Sequence, residues 1–294
     1  MNKIQPIEHY VSPGLAEEIR SITKSAVNFN EEEFFLRYPN LNVYIQDWTQ
    51  NSQGLEFISR LESRGFPLKI LDIGVGDGHS SIYLGSKSHE VSCVEPSYDL
   101  CKIIASVSSR FEVPLKIYQC TAEAINHIPA KFDLCVFNSS LHHCDNPIQA
   151  LRNCYDILIE GGSVLVLSEL FQRFYTSKKS FHRALSKDPV KMGHYGGNEH
   201  VWSYTEYKNM LKKAGFLKTK EYIDFRNFHP RLALRELIDR KIQDDYVHSD
   251  SNLFLRFIYF LLMKQICRSK FGQLLLFPVL KRLSLVQISF EGIK

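Results

Sequence analysis

No Cys-x-x-Cys pair occurs in this sequence, and its seven cysteines (positions 93, 101, 120, 135, 144, 154 and 267) are odd in number. Such usage supplies neither a zinc-type spacing nor a disulfide framework. A long apolar run is missing too. The most apolar stretch, residues 253–283, is interrupted by Arg256, Lys264, Arg268 and Lys270, far short of the roughly 20 residues that cross a bilayer. Charge of one sign is not in excess: 36 basic side chains face 32 acidic ones, and a net charge of +4 does not argue for nucleic acid. The opening residues are mixed and charged, without a signal-peptide apolar region. These absences together lead us to expect a reducing, cytoplasmic setting.

What is present is concentrated in one turn, Leu71-Asp72-Ile73-Gly74-Val75-Gly76-Asp77-Gly78. It follows a short apolar run and precedes an amphipathic stretch, so it sits where a strand hands over to a helix. Glycines there let the backbone approach a ligand that a Cβ would repel, and the helix start directs N–H groups into the same space. Glu95 lies 21 positions beyond Gly74 at the end of the next apolar run. A carboxylate so placed can accept both hydroxyls of a ribose. The dinucleotide pattern G-x-G-x-x-G does not fit, because these glycines fall as G-x-G-x-G. Asp72 and Asp77 disfavour a pyrophosphate and suit a ligand with a positive centre.

The order of elements is equally informative. Residues 1–66 read as polar and helical (Gly14 to Lys24, Gly54 to Arg64) around an aromatic-rich stretch with Phe34, Tyr38, Tyr44 and Trp48. From Pro67, strands and helices alternate with short connections, the pattern of a parallel sheet. Expected strands are 69–73, 90–95, 115–120, 134–138, 163–168, 218–225 and 284–292. A helix over 147–158 has Asn146 as cap, Pro147 in first position and Gly161-Gly162 beyond its end. A second helix over 206–214 is expected with Thr205 as cap and Gly215 after it.

The glycine turn resembles motif I of the class I S-adenosylmethionine-dependent methyltransferases. The resemblance covers about residues 67–225 plus the terminal strand. It implies a doubly wound α/β fold with a mostly parallel seven-stranded sheet. The implied division is a helical cap (1–66), a cofactor-binding core (67–227), a helical basic and apolar insert (228–283) and a final strand (284–294). It also implies S-adenosyl-L-methionine as cofactor, held by Asp72, Gly74, Gly76, Glu95, Thr121, Ala122, Glu123 and Asn138. The family often has G-D-A-E after its third strand; here Cys120-Thr121-Ala122-Glu123 replaces the aspartate with a weaker hydroxyl acceptor.

After the fourth core strand the chain reads Phe132-Asp133 through Leu141-His142-His143, then Asn146-Pro147. The same resemblance, to sugar and natural-product O-methyltransferases of the L-H-H type, implies His143, with His142 as rival, as the base for a hydroxyl acceptor. Glu169, after the fifth strand, would assist. The N-P-P-Y signature of base and glutamine methylation is missing, as is any Pro-Cys pair for cytosine chemistry, so nucleic acid is not expected as the acceptor. His194, Asn198 and Glu199 are candidate acceptor-binding residues. Histidine and glutamate there also suggest a metal, but without a third spaced ligand none is expected.

Residues 171–191 carry Arg173, Lys178, Lys179, Arg183, Lys187 and Lys191 against Asp188 alone. They form either a solvated helix face or a site for an anionic acceptor. Residues 253–283 are basic and apolar; they can close the core, form a homodimer contact, or dock peripherally on a membrane. The reading is thus methyl transfer to oxygen of a small molecule such as a sugar or glycosylated intermediate. Two alternatives stay open: a lipid-linked or membrane-associated acceptor, and a non-catalytic cofactor-binding subunit.

Overall fold

The computed structural model describes residues 3–8, 10–26, 29–49, 52–61, 64, 67–172, 176–188, 192, 198–223 and 288–294. The 228–283 insert, with its membrane and dimer readings, and His194 lie outside the described residues. Strand–helix alternation begins as the sequence predicts. Strands β2 (Lys69–Ile73), β3 (Glu90–Val94), β4 (Leu115–Gln119), β5 (Phe132–Asn138) and β6 (Leu158–Leu167) all run parallel. Between them lie α5 (His79–Ser86), α6 (Tyr98–Arg110) and α7 (Pro147–Ile157).

Among the described residues the sheet has eight strands rather than the expected seven, in the order β1-β4-β3-β2-β5-β6-β8-β7. The extra member, β1 (Ile4–Pro6), adds three residues to the edge of β4. A segment that short carries no period-2 signal, so the helical reading of residues 1–66 missed it. Strand β8 (Ile288–Ile293) inserts antiparallel between β6 and β7 (Lys218–Ile223).

Alternate residues of each central strand point to opposite faces, and both faces are covered, as in parallel sheets generally. Leu71, Ile73, Cys135 and Phe137 pack with α7 and α9 (Tyr204–Ala214). Ile70, Leu134 and Val136 pack on the other face with α5, α6 and the aromatic helices α3 (Leu41–Thr49) and α4 (Ser52–Leu61). Helix α9 starts two residues earlier than the sequence predicts. Its cap is Ser203, not Thr205, because Ser203 and Glu206 close a reciprocal capping box. Helix α1 (Pro13–Ala26) and α2 (Glu31–Arg37) complete the N-terminal cap.

Candidate active site at the carboxyl edge of the sheet

The carboxyl ends of β2 to β5 open into a cavity of about 560 Å³. Its floor is the glycine turn. Gly74, Gly76 and Gly78 all have φ between +57° and +85°, the left-handed region that glycine enters without strain. A Cβ on Gly74 would stand 2.6 Å from Cβ of Ser140, whereas one on Gly76 would meet nothing within 4 Å. Gly74 is therefore needed for chain packing, and Gly76 faces open space where a ligand can lie.

Glu95 closes one wall. Its Oε2 accepts from the Gly76 N–H (3.0 Å) and its Oε1 from the Ser97 N–H (2.9 Å). Burial dominates its electrostatics and pushes its carboxyl up to about 7, against the pull of those two donors. Thr121, Ala122, Glu123 and Asn138 line the same cavity. Asp72 does not. It is buried under α5, accepts from the hydroxyls of Ser80 (2.6 Å) and Ser81 (2.8 Å), and burial raises its carboxyl to about 6. In the structure Asp72 thus lies against the start of α5, outside the residues that line the cavity.

The histidine edge lies where β5 ends. Leu141–His143 forms one 3-10 turn, and Glu169 holds it from below by accepting the N–H groups of Ser140, Leu141 and His142 (2.9–3.1 Å). The same carboxylate accepts from Nδ1 of His142 at 2.7 Å, with both side chains buried. Glu169 therefore lies behind the wall, tied to the turn it supports, and His142 shares its buried layer. His143 does reach the cavity. Its Nδ1 meets Oε1 of Glu18 (3.0 Å) and the carbonyl of Asn198 (3.0 Å). Both partners are acceptors, so the proton sits on Nδ1 and Nε2 carries the lone pair. Burial alone would lower its pKa, but the Glu18 hydrogen bond and charge outweigh it and hold the imidazole above its usual value.

Residues 71–166 match a family model described as a methyltransferase domain. The matched segment runs from the glycine turn through Glu95 to the histidine edge and β6. The motif I resemblance of the glycine turn implies S-adenosyl-L-methionine as the ligand of this domain. The cavity of this methyltransferase fits such a ligand on a separate observation: Oδ1 of Asn138, at the cavity wall, is buried without a hydrogen-bond partner. A buried orphan acceptor is costly unless a bound donor meets it.

Solved structures share the fold. The Haemonchus contortus phosphoethanolamine N-methyltransferase 2, in complex with phosphomonomethylethanolamine and S-adenosylhomocysteine, superposes with a TM-score of 0.55 at 17% identity. That match covers 84% of this chain and 53% of the other, so the present chain spans about half its length. YcgJ of Bacillus subtilis gives 0.52 at 19% identity, over 83% and 97% of the two chains. The [4+2]-cyclase SpnF gives 0.55 at 12% identity, over 99% and 98%. No curated protein matches the sequence. At these identities the likeness is one of fold, and the cyclase shows that this fold carries other reactions as well.

Other expected residues of the methyltransferase fall elsewhere. Asn198 is buried beside the histidine edge, not in the cavity wall: its Nδ2 donates to Oε2 of Glu18 (2.7 Å) and to the carbonyl of His143 (3.1 Å). Glu199 is buried next to the two histidines. In the basic segment, α8 (Lys178–Leu185) forms, yet none of its residues lines the cavity, and Lys178 pairs with Glu206 at 2.6 Å. Arg173 and Lys191 lie outside the described residues. Sequence reasoning missed Glu18 entirely. Its signal was an acid on the apolar stripe of an amphipathic helix, flanked by Leu15, Ile19 and Ile22, all of which line the cavity.

Proposed function

We propose that the protein transfers the methyl group of S-adenosylmethionine to an oxygen of a small hydroxylated acceptor, such as a sugar or a glycosylated biosynthetic intermediate. The observation that carries this reading is His143 at the cavity wall, its Nδ1 held by Glu18 and its Nε2 lone pair on the other side of the ring. The sulfonium is already activated, so the protein's task is alignment and removal of the acceptor's proton. A hydroxyl acceptor needs such a base, because its oxygen must shed a proton as it attacks. Gly74, Gly76 and Glu95 hold the cofactor, His143 takes the proton, and Glu169 and Glu18 fix the two rings. The L-H-H resemblance supports the choice of a sugar-type acceptor.

The full chain, incubated with methyl-labelled cofactor and a panel of glycosylated and lipid-linked acceptors, tests this. Replacing His143 by Ala should lower turnover by about 10²–10⁴-fold while cofactor affinity is retained. Unaltered turnover in His143→Ala, His142→Ala and the double variant would remove the pair from the reaction. Transfer to lipid-linked acceptors alone would replace the sugar reading.

A further inference from the structure

We propose that His142, His143 and Glu199 form a site for one divalent transition-metal cation of the zinc type, beside the cavity wall at His143. One ring nitrogen of each histidine and one carboxylate oxygen of Glu199 lie within 4.8 Å of one another. Two imidazoles and one carboxylate are the donor set of open zinc sites and of the facial triad that binds other first-row metals. The third ligand comes from a segment more than fifty residues along the chain, which is why no sequence spacing announces it.

The surroundings are those of a ligand set. In metal sites a histidine gives its other ring nitrogen to a carboxylate, which fixes the ring and its tautomer. Here that arrangement occurs twice: Nδ1 of His142 on Glu169 at 2.7 Å, and Nδ1 of His143 on Glu18 at 3.0 Å. In both rings Nε2 is then the atom a cation would take. The two backbones are also tied together. The His200 N–H donates to the carbonyl of His142 (3.0 Å), and Nδ1 of His143 meets the carbonyl of Asn198. Glu199 is held between those two anchor points.

Electrostatics favour the same occupant. Glu18, Glu169 and Glu199, all at least nine-tenths buried, gather around two imidazoles. Such a grouping of carboxylates makes a negative environment that attracts a cation. Nitrogen donors select zinc-like ions over magnesium and calcium, which take oxygen shells. A tetrahedral shell with metal–nitrogen bonds near 2.0 Å sets its ligands about 3.3 Å apart, so binding would draw the trio closer together. Three protein ligands leave a fourth position open, and His143 is the member of the trio that lines the cavity.

In the loaded protein the cation replaces the imidazole as activator. The acceptor hydroxyl becomes the fourth ligand and loses its proton to water; the oxygen then attacks the methyl carbon, the C–S bond breaks, and the cofactor leaves as its neutral thioether. Only this consequence rests on the proposed reaction; the site itself does not.

The test is therefore direct binding. Full-length protein stripped with a chelator is titrated with Zn²⁺, with Co²⁺ as a spectroscopic probe and Mg²⁺ as control. The expected result is one equivalent of Zn²⁺, a visible ligand-field band with Co²⁺, and no response to Mg²⁺. Glu199→Gln and His142→Ala should abolish the band, and Glu169→Gln should weaken binding by about 10–100-fold. S-adenosylhomocysteine affinity, measured on each variant, confirms folding. Absence of a stoichiometric site in the wild type, or retention of the band in folded Glu199→Gln, overturns the proposal. Methyl transfer by the metal-free protein would survive that failure, and cation binding would survive failure of every acceptor tried.

Discussion

Glu95 sits where the free protein would rather have a neutral group. Burial raises its carboxyl to about 7, and Asp72 follows at about 6. Both lie above their unfolded values, so between roughly pH 4 and 7 the folded chain holds more protons than the unfolded one, and stability falls as pH rises through that window. His143, also raised, acts in the same direction, since its contribution is lost as pH climbs through its folded pKa. We expect the cofactor-free protein to melt at higher temperature at pH 6 than at pH 8, as measured by differential scanning fluorimetry. The cofactor should show the opposite preference if, as proposed, the Glu95 carboxylate accepts from the ribose hydroxyls. Its affinity should drop by up to about tenfold per unit below pH 7, and Glu95→Ala should flatten that dependence while costing roughly 1–3 kcal/mol of binding. A pH-independent affinity in the wild type would remove Glu95 from the ribose.

The loop between β2 and α5 was legible because its chemistry is local: three glycines, a following helix start and a delayed acid all lie within one strand–helix–strand unit. Its tightest constraint appears only in three dimensions. Gly74→Ala places a methyl 2.6 Å from Ser140 at a φ of +70°, so we expect a loss of about 1–3 kcal/mol in stability, read by urea unfolding, together with weakened cofactor binding. Gly76→Ala has space for the methyl and should keep most of the stability while still obstructing the cofactor. Helix ends were legible to within a turn. Asn146 and Pro147 mark α7 as written, whereas Ser203 and Thr205 are both good caps and only the reach of Glu206 decides between them. Helix α1 was read as a polar cap, yet it brings Glu18 to His143. Glu18→Gln should lower turnover without changing cofactor affinity, and an unchanged rate would detach α1 from the chemistry.

For the molecule as a whole, the parallel core was readable because each strand between two helical layers is a short apolar run bounded by turn residues. The histidine edge was only half readable. His142, His143 and Glu169 sit at the carboxyl ends of adjacent strands β5 and β6, so strand order foretells their meeting. Glu18, Asn198 and Glu199 arrive from outside that order, and no periodicity connects segments so far apart. A long-range tie also joins Arg64 to Glu291 of β8 at 2.7 Å, with Ser163 of β6 on the same guanidinium. Both charged groups are largely buried, so Arg64→Met should destabilise the fold by about 1–3 kcal/mol, measurable by chemical denaturation. An unchanged midpoint would show that the tie contributes nothing.

The insertion of β8 between β6 and β7 also sets a timetable for biosynthesis. The outer edge of β6 is complete once Leu167 has emerged, yet its partner begins only at Ile288. At ribosomal rates of about 5–20 residues per second, that gap corresponds to roughly 6 to 24 seconds. Throughout it, the nascent chain exposes an unpaired, strongly apolar strand to its neighbours on the polysome.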